Sequence, residues 1–280
     1  MVLDADTYAV LGDIPDTNGV HGIALAPEFG RGFTSNGRAN TVTIFDLKTL
    51  KALGTAKTGE GPDAIVYDPA SHRVFTFNGH GGNSTAIDAE TGKVAGTIDL
   101  GGRPEFAVAD GAGHVYANLE DKSEVAAIDS QALSVKAHWP LAPCEEPSGL
   151  AIDREHRRLF SGCHNKMMAV IDADSGQVLA TPPIGEGVDA NAFDPGTGLA
   201  FSSNGAGTLT VVDEDSPDRF TVVGNVETQR GARTMALDLR THNVFLVTAE
   251  FGPPPPATAE HPRPRPTMKP GTFTLLVFGP

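Results

Sequence analysis

Asp4, Asp46, Asp88, Asp129, Asp172 and Asp213 recur at intervals of 41 to 43 residues. Each closes a short apolar or β-branched run, such as 41–46 (TVTIFD), 84–88 (STAID), 125–129 (VAAID) or 208–213 (TLTVVD). Each run is followed by a polar turn such as LKTLK, AETGK or ADSGQ. A period of about 40–45 residues built from short strands points to propeller blades, because one such unit cannot bury its apolar faces alone. The aspartates need no catalytic role. A carboxylate at a strand end accepts hydrogen bonds from the N–H groups of the turn that follows.

The same grammar gives three more strands per unit. Two precede the aspartate run, as in 64–67 and 74–78, and one follows it, as in 94–100. In order they are strands A, B, C and D. The expectation is an all-β fold, a single β-propeller domain over 1–280 with six four-stranded blades. The ends of the chain are offset. The sixth unit stops after a C strand at 273–278, whereas residues 2–4 and 8–14 read as the end of a C strand and a D strand. The N-terminal strand is therefore expected to close the last blade and leave no unpaired edge.

A formal net charge of −14 and a pI near 4.9 argue against nucleic-acid binding through phosphates. No run approaches the roughly 20 apolar residues of a membrane span. Met1 leads directly into a strand-like segment, so no signal peptide is expected in this chain. Cys144 and Cys163 fit neither a disulfide framework nor a CxxC zinc site; one bridge and two free thiols are equally compatible with the sequence. Residues 252–270 (GPPPPATAEHPRPRPTMKP) form a Pro-rich insertion between strands B and C of the sixth unit, a stiff polyproline-like loop.

Alignment of the A strands places one residue of each unit at the same position: His21, Asp63, Glu105, Ser148, Asp189 and Arg233, 41 to 44 residues apart. A strands line the axis of a propeller, so these six are expected to ring one mouth of the channel. The B–C loops on that side add His80, Glu120, His164 and Glu250. His72, His114, His156 and His242 fall in A–B turns on the opposite face and read as solvated turn residues. Imidazoles and carboxylates together suit a divalent transition ion, Zn²⁺ or Mn²⁺, and the candidate ligands are His21, His80, His164, Glu105 and Glu250. Asp63 and Asp189 are candidate bases, and Arg233 a candidate partner for developing oxyanion charge. The bland alternative is a solvated polar channel mouth. There is no GxSxG, HExxH, P-loop or GxGxxG signature. A Ser148 or Cys163 nucleophile beside His164 is the weaker catalytic arrangement.

The B strands VFTFN, LFSGC and AFSSN, each followed by a C strand ending in [VI]D and then a TG or SG turn, resemble the YVTN-type β-propeller repeat family in its YncE-like branch. The resemblance spans nearly the whole chain. It implies a propeller of a branch that is commonly seven-bladed and exported, with one leading blade lacking here; members are associated with binding and with surface or periplasmic roles, and the resemblance implies no single function. Pairing of blade edges between copies, giving a homo-oligomer, is a further expectation. Two functions are carried forward. One is a metal-dependent hydrolase of small esters, lactones or phosphoesters at the channel mouth. The other is a non-catalytic module that binds a ligand or protein.

Overall fold

The structure, a computed structural model, describes residues 1–256, 258 and 266–280. Its repeating unit is an antiparallel sheet whose strands follow sequence order from the axis outward. Blade one comprises Val20–Ala26, Arg31–Asn36, Thr41–Asp46 and Ala52–Lys57; blade two Pro62–Asp68, Arg73–Asn78, Asn83–Asp88 and Val94–Asp99. Blade three comprises Pro104–Ala109, His114–Leu119, Glu124–Asp129 and Ser134–Pro140; blade four Pro147–Asp153, Arg158–Cys163, Met167–Asp172 and Val178–Ala180. Blade five comprises Val188–Asp194, Leu199–Asn204, Thr208–Ser216 and Arg219–Glu227; blade six has Thr234–Asp238, Asn243–Thr248 and Thr274–Phe278. The chain is thus an all-β six-bladed propeller. Among the described residues the helical elements are two short 3-10 turns, Pro27–Phe29 and Glu120–Lys122.

Burial explains the sequence pattern. Strands B and C lie between neighbouring blades, so both faces are covered and their inner residues are small or apolar, as within Arg73–Asn78 and Asn83–Asp88, with the polar residues at the strand ends. Strand D is the outer edge and alternates weakly, as in Ala52–Lys57. In blade four it shrinks to Val178–Ala180, because Pro182 and Pro183 have no N–H to give the ladder. The core is a set of layers between blades. Phe33 and Val42 pack on Ile65 and Ile87 between blades one and two, and Phe75 and Phe77 on Ala117 and Leu119 between two and three. Comparable layers join three to four, four to five and five to six.

Among the described residues no such layer joins blade six to blade one. Ile23 of blade one is 56 % exposed, whereas its equivalent Ile65 in blade two is 7 % exposed. The expected closing strand also pairs elsewhere. Among the described residues Val10–Gly12 pairs with Val2–Leu3 alone, forming a separate two-stranded ribbon, and Thr274–Phe278 pairs only with strand B of its own blade. The ribbon is nevertheless a C–D hairpin of the same repeat. Asp4 Oδ1 accepts from the N–H of Asp6 and Thr7 and the hydroxyl of Thr7, as Asp46 Oδ1 does from Lys48 and Thr49. Four residues after the aspartate, Tyr8, Leu50, Gly92, Leu133 and Gly176 all adopt left-handed backbone.

The ribbon also sits where a next blade belongs. Gly12 meets Leu50 of blade one as Gly96 of blade two meets Leu133 of blade three. On its other side, Arg240 in the A–B turn of blade six pairs with Asp6 at 2.5 Å, and Tyr8 packs edge-on against Phe245. Arg73 of blade two likewise donates to the carbonyls of Ser130 and Gln131 in the C–D turn of blade three. The ribbon therefore occupies the outer half of a position between blades six and one.

Candidate functional site

In blades one to five the mouth ring is set by a bulge at the start of the A strand; the A strand of blade six pairs in unbroken register. Val20, Pro62, Pro147 and Val188 pair with Asn36, Asn78, Cys163 and Asn204, and the register then shifts. A direct count across the turn gives those partners to His21, Asp63, Ser148 and Asp189. The bulge moves each pairing back by one residue and leaves the next side chain free of the ladder. Hydrogen bonds between blades fix the ring. Ser35 donates to the carbonyl of Asp63, Ser203 to that of Arg233, and Asn118 Nδ2 to that of Ser148 at 2.7 Å. Asn36, Asn78 and Asn204 are fully buried and spend their amides on C-strand residues such as Thr43, Thr85 and Thr210. They belong to the scaffold.

Charges at the mouth are paired unevenly. His21 Nδ1 lies 3.3 Å from Asp63 Oδ1, and Arg233 Nη1 lies 3.3 Å from Asp189 Oδ1. Arg103 pairs with Glu120. Among the described residues Glu105 has no ion pair. Burial, reinforced by the charges of Asp63, Glu120 and Asp189, pushes its carboxyl up to about 7. The carboxyl of Asp63 is also raised, chiefly by burial, with His21 opposing and Asp189 adding to the rise. At the other end the channel widens into an open apolar bowl of about 520 Å³ lined by Ile23, Leu25, Ile65, Tyr67 and Val108.

The five candidate metal ligands share the mouth but not one coordination point. Among the described residues, no three donor atoms drawn from His21, His80, His164, Glu105 and Glu250 come within 4.8 Å of one another. His164 instead groups with Glu120 and Glu146; its Nδ1 lies 3.3 Å from Glu146 and 4.0 Å from Glu120. Glu250 is exposed and pairs with Lys269 at 2.9 Å. His80 stands exposed over Gly61. Cys163 is bonded to Cys144, so it supplies no thiol nucleophile beside His164. The Pro-rich insertion leaves this face on a short stem, with Gly252 N–H donating to the Thr267 carbonyl and Lys269 N–H to that of Glu250. Residues 257 and 259–265 of it, His261 included, lie outside the described residues.

The opposite face holds chemistry that the sequence reading passed over. Asp68, Asp110, Asp153, Asp194 and Asp238 close the A strands or immediately follow them, and they recur with the same period. Three of the A–B-turn histidines are tied to them rather than merely solvated. His114 Nδ1 lies 2.9 Å from Asp110, His156 Nδ1 2.6 Å from Asp153, and His242 Nδ1 2.7 Å from Asp194. The signal was available as a second aspartate series with a histidine three or four residues later in four of its five units.

No family model matches the chain, and no curated protein matches it in sequence. Solved structures do share its fold. Kuenenia stuttgartiensis hydrazine synthase superposes with a TM-score of 0.70 at 15 % identity, over 85 % of this chain and 76 % of that one. The Myceliophteria thermophila Cps50 (Swd1) β-propeller domain gives 0.69 at 10 % identity, over 82 % and 80 %. At such identities the likeness is one of fold. The chain is a β-propeller.

Proposed function

We propose that this propeller is a binding module whose channel mouth holds a small positively charged ligand. The observation that carries the reading is Glu105. Asp189 and Glu120 each pair with an arginine and Asp63 lies beside His21, whereas among the described residues Glu105 has no ion pair and feels Arg103 only weakly against the three surrounding carboxylates. A cation placed there relieves the repulsion and supplies the missing counter-charge. The test is calorimetric titration with methylguanidinium, tetramethylammonium and Mn²⁺. Binding that weakens at least tenfold in Glu105→Gln supports the reading; no binding, or binding indifferent to that change, removes it.

A second reading, metal-dependent hydrolysis of small esters, lactones or phosphoesters, is favoured by the same carboxyl. A group titrating near 7 is matched to general-base work at neutral pH. In this reading a divalent ion, Zn²⁺ or Mn²⁺, is held by histidine and carboxylate at the mouth, with His164, Glu120 and Glu146 the best-grouped donors. Arg233 lies on the rim to meet anionic charge, and Asp63 and Asp189 position His21 and Arg233. Turnover of an ester and phosphotriester panel that disappears on chelation and returns with metal supports it. Turnover unchanged by thorough chelation, or none with any metal, excludes it.

A further inference from the structure

Asp153, His156 and Glu214, on the face opposite the mouth, bring one donor atom each within 4.8 Å of the others. Asp153 ends strand A of blade four, His156 lies in the following turn, and Glu214 comes from strand C of blade five. The group therefore spans a blade boundary. His156 Nδ1 lies 2.6 Å from Asp153 Oδ2 and 3.4 Å from Glu214 Oε1. The two carboxylate side chains are 3 % and 2 % exposed, whereas the imidazole is 42 % exposed. The cluster has a buried acidic floor and an open side.

Glu214 is the anomaly. Neither of its carboxylate oxygens has a hydrogen-bond partner. Two buried carboxyl groups side by side, Glu214 and Asp153, with only the His156 imidazole beside them, are costly, and native structures rarely keep such a pair without a reason. The single proton on His156 Nδ1 is directed to Asp153, the nearer oxygen. Asp153 has further partners in the N–H groups of Glu155 and His156. The neighbouring cation, Arg158, is engaged elsewhere: Nη1 on Asp172 at 2.7 Å, Nε on the Pro217 carbonyl at 2.8 Å, and Nη2 near Asp218 at 3.5 Å. The other buried aspartates of this turn series lack such a neighbour. Asp110 is met by Arg157 and His114, and Asp194 by His242 and Thr197.

We propose that Asp153, His156 and Glu214 form a binding site for a divalent first-row transition ion of the Zn²⁺ class, independent of the mouth. One imidazole nitrogen and two carboxylates are a donor set that zinc accepts, with water from the open side as a fourth ligand. Binding moves the imidazole proton from Nδ1 to Nε2 and gives Glu214 the partner it lacks. Apart from coordination, that N–H shift and the release of any carboxyl proton to solvent, no bond is made or broken, and no electron is transferred. An ion there ties blade four to blade five.

The test uses the whole chain, stripped with chelator and dialysed against Zn²⁺, with bound metal counted by elemental analysis and thermal stability followed in parallel. Glu214→Gln preserves shape and removes the charge; His156→Ala sits on an exposed turn and provides a second variant if the first fails to fold. The expected result is stoichiometric zinc that raises Tm, with affinity falling at least tenfold in either variant. His164→Ala, which disrupts the mouth cluster, leaves this zinc in place, so failure here is distinguishable from failure of the mouth reading. Zinc binding unchanged in both variants, or no zinc bound by the wild type, overturns the proposal.

Discussion

Glu105 shows how far a single residue departs from what its type implies. Its carboxyl, ordinarily at 4.5, is pushed up to about 7 by burial and by the charges of Asp63, Glu120 and Asp189. Between those values the folded chain retains a proton that the unfolded chain has released, so stability falls as pH rises through the window. Glu214 acts in the same direction, also reaching about 7 through burial and the charge of Asp153. The urea midpoint of the metal-free wild type is therefore expected to drop between pH 4.5 and 7.5, and to drop less in Glu105→Gln. An equal drop in both proteins would count against the assignment. The position of Glu105 in the mouth ring was legible from the repeat period alone. Its protonation was not, because that depends on charges contributed by other blades. The Asp153–His156–Glu214 group was hidden for a related reason: its members come from two blades, and only Asp153 and His156 are close in sequence.

At the scale of the element, the C–D turn is the most repeated device in the chain. Asp172 accepts from the N–H groups of Asp174 and Ser175 and the Ser175 hydroxyl, and Arg158 lies against it. Asp213 departs from the series. Strand C of blade five runs on to Ser216, so Asp213 pairs with Thr221 in a longer hairpin instead of opening a turn. Asp172→Ala is expected to cost about 1 kcal/mol or more in urea unfolding, the scale of hydrogen bonds to a charged group. Asp213→Ala should stay within about 0.5 kcal/mol, the range of surface changes away from special features. Equal effects would show that the turn hydrogen bonds are not what the aspartates contribute. The Cys144–Cys163 bridge closes a loop 19 residues apart in sequence. Chain-entropy arguments give such a loop about 3 kcal/mol, so Cys144→Ser under oxidising conditions should lower the urea midpoint clearly, and reductant should lower that of the wild type to match. The sequence left this pairing open because nothing local brings residue 144 to the end of a B strand. The blade-four bulge and the register from Pro147 to Cys163 do that.

For the whole molecule, the period predicted six blades and six are present, yet it said little about how the ring ends meet. An edge strand reads the same in sequence whether it pairs with Thr274–Phe278 or with Val2–Leu3, since both partners are short apolar C strands. The outcome is a seam between blades six and one, spanned on the outside by the N-terminal hairpin through Asp6–Arg240, Tyr8–Phe245 and Gly12–Leu50. Removal of residues 1–12 should therefore lower Tm and increase binding of a hydrophobic dye as the flank around Ile23 and Leu25 opens further. A truncated chain as stable as the full one would show that the hairpin does not brace the ring. The ring itself is what gathers Asp63, Glu105 and Asp189, residues from three blades, around one opening. The most direct test of that gathering is calorimetric titration of the wild type and Glu105→Gln with methylguanidinium at pH 8, where the Glu105 carboxyl is largely ionised. Binding by the wild type and a loss of at least tenfold in the variant is the predicted result; equal binding by both, or none by either, would contradict the account of the mouth as a cation site.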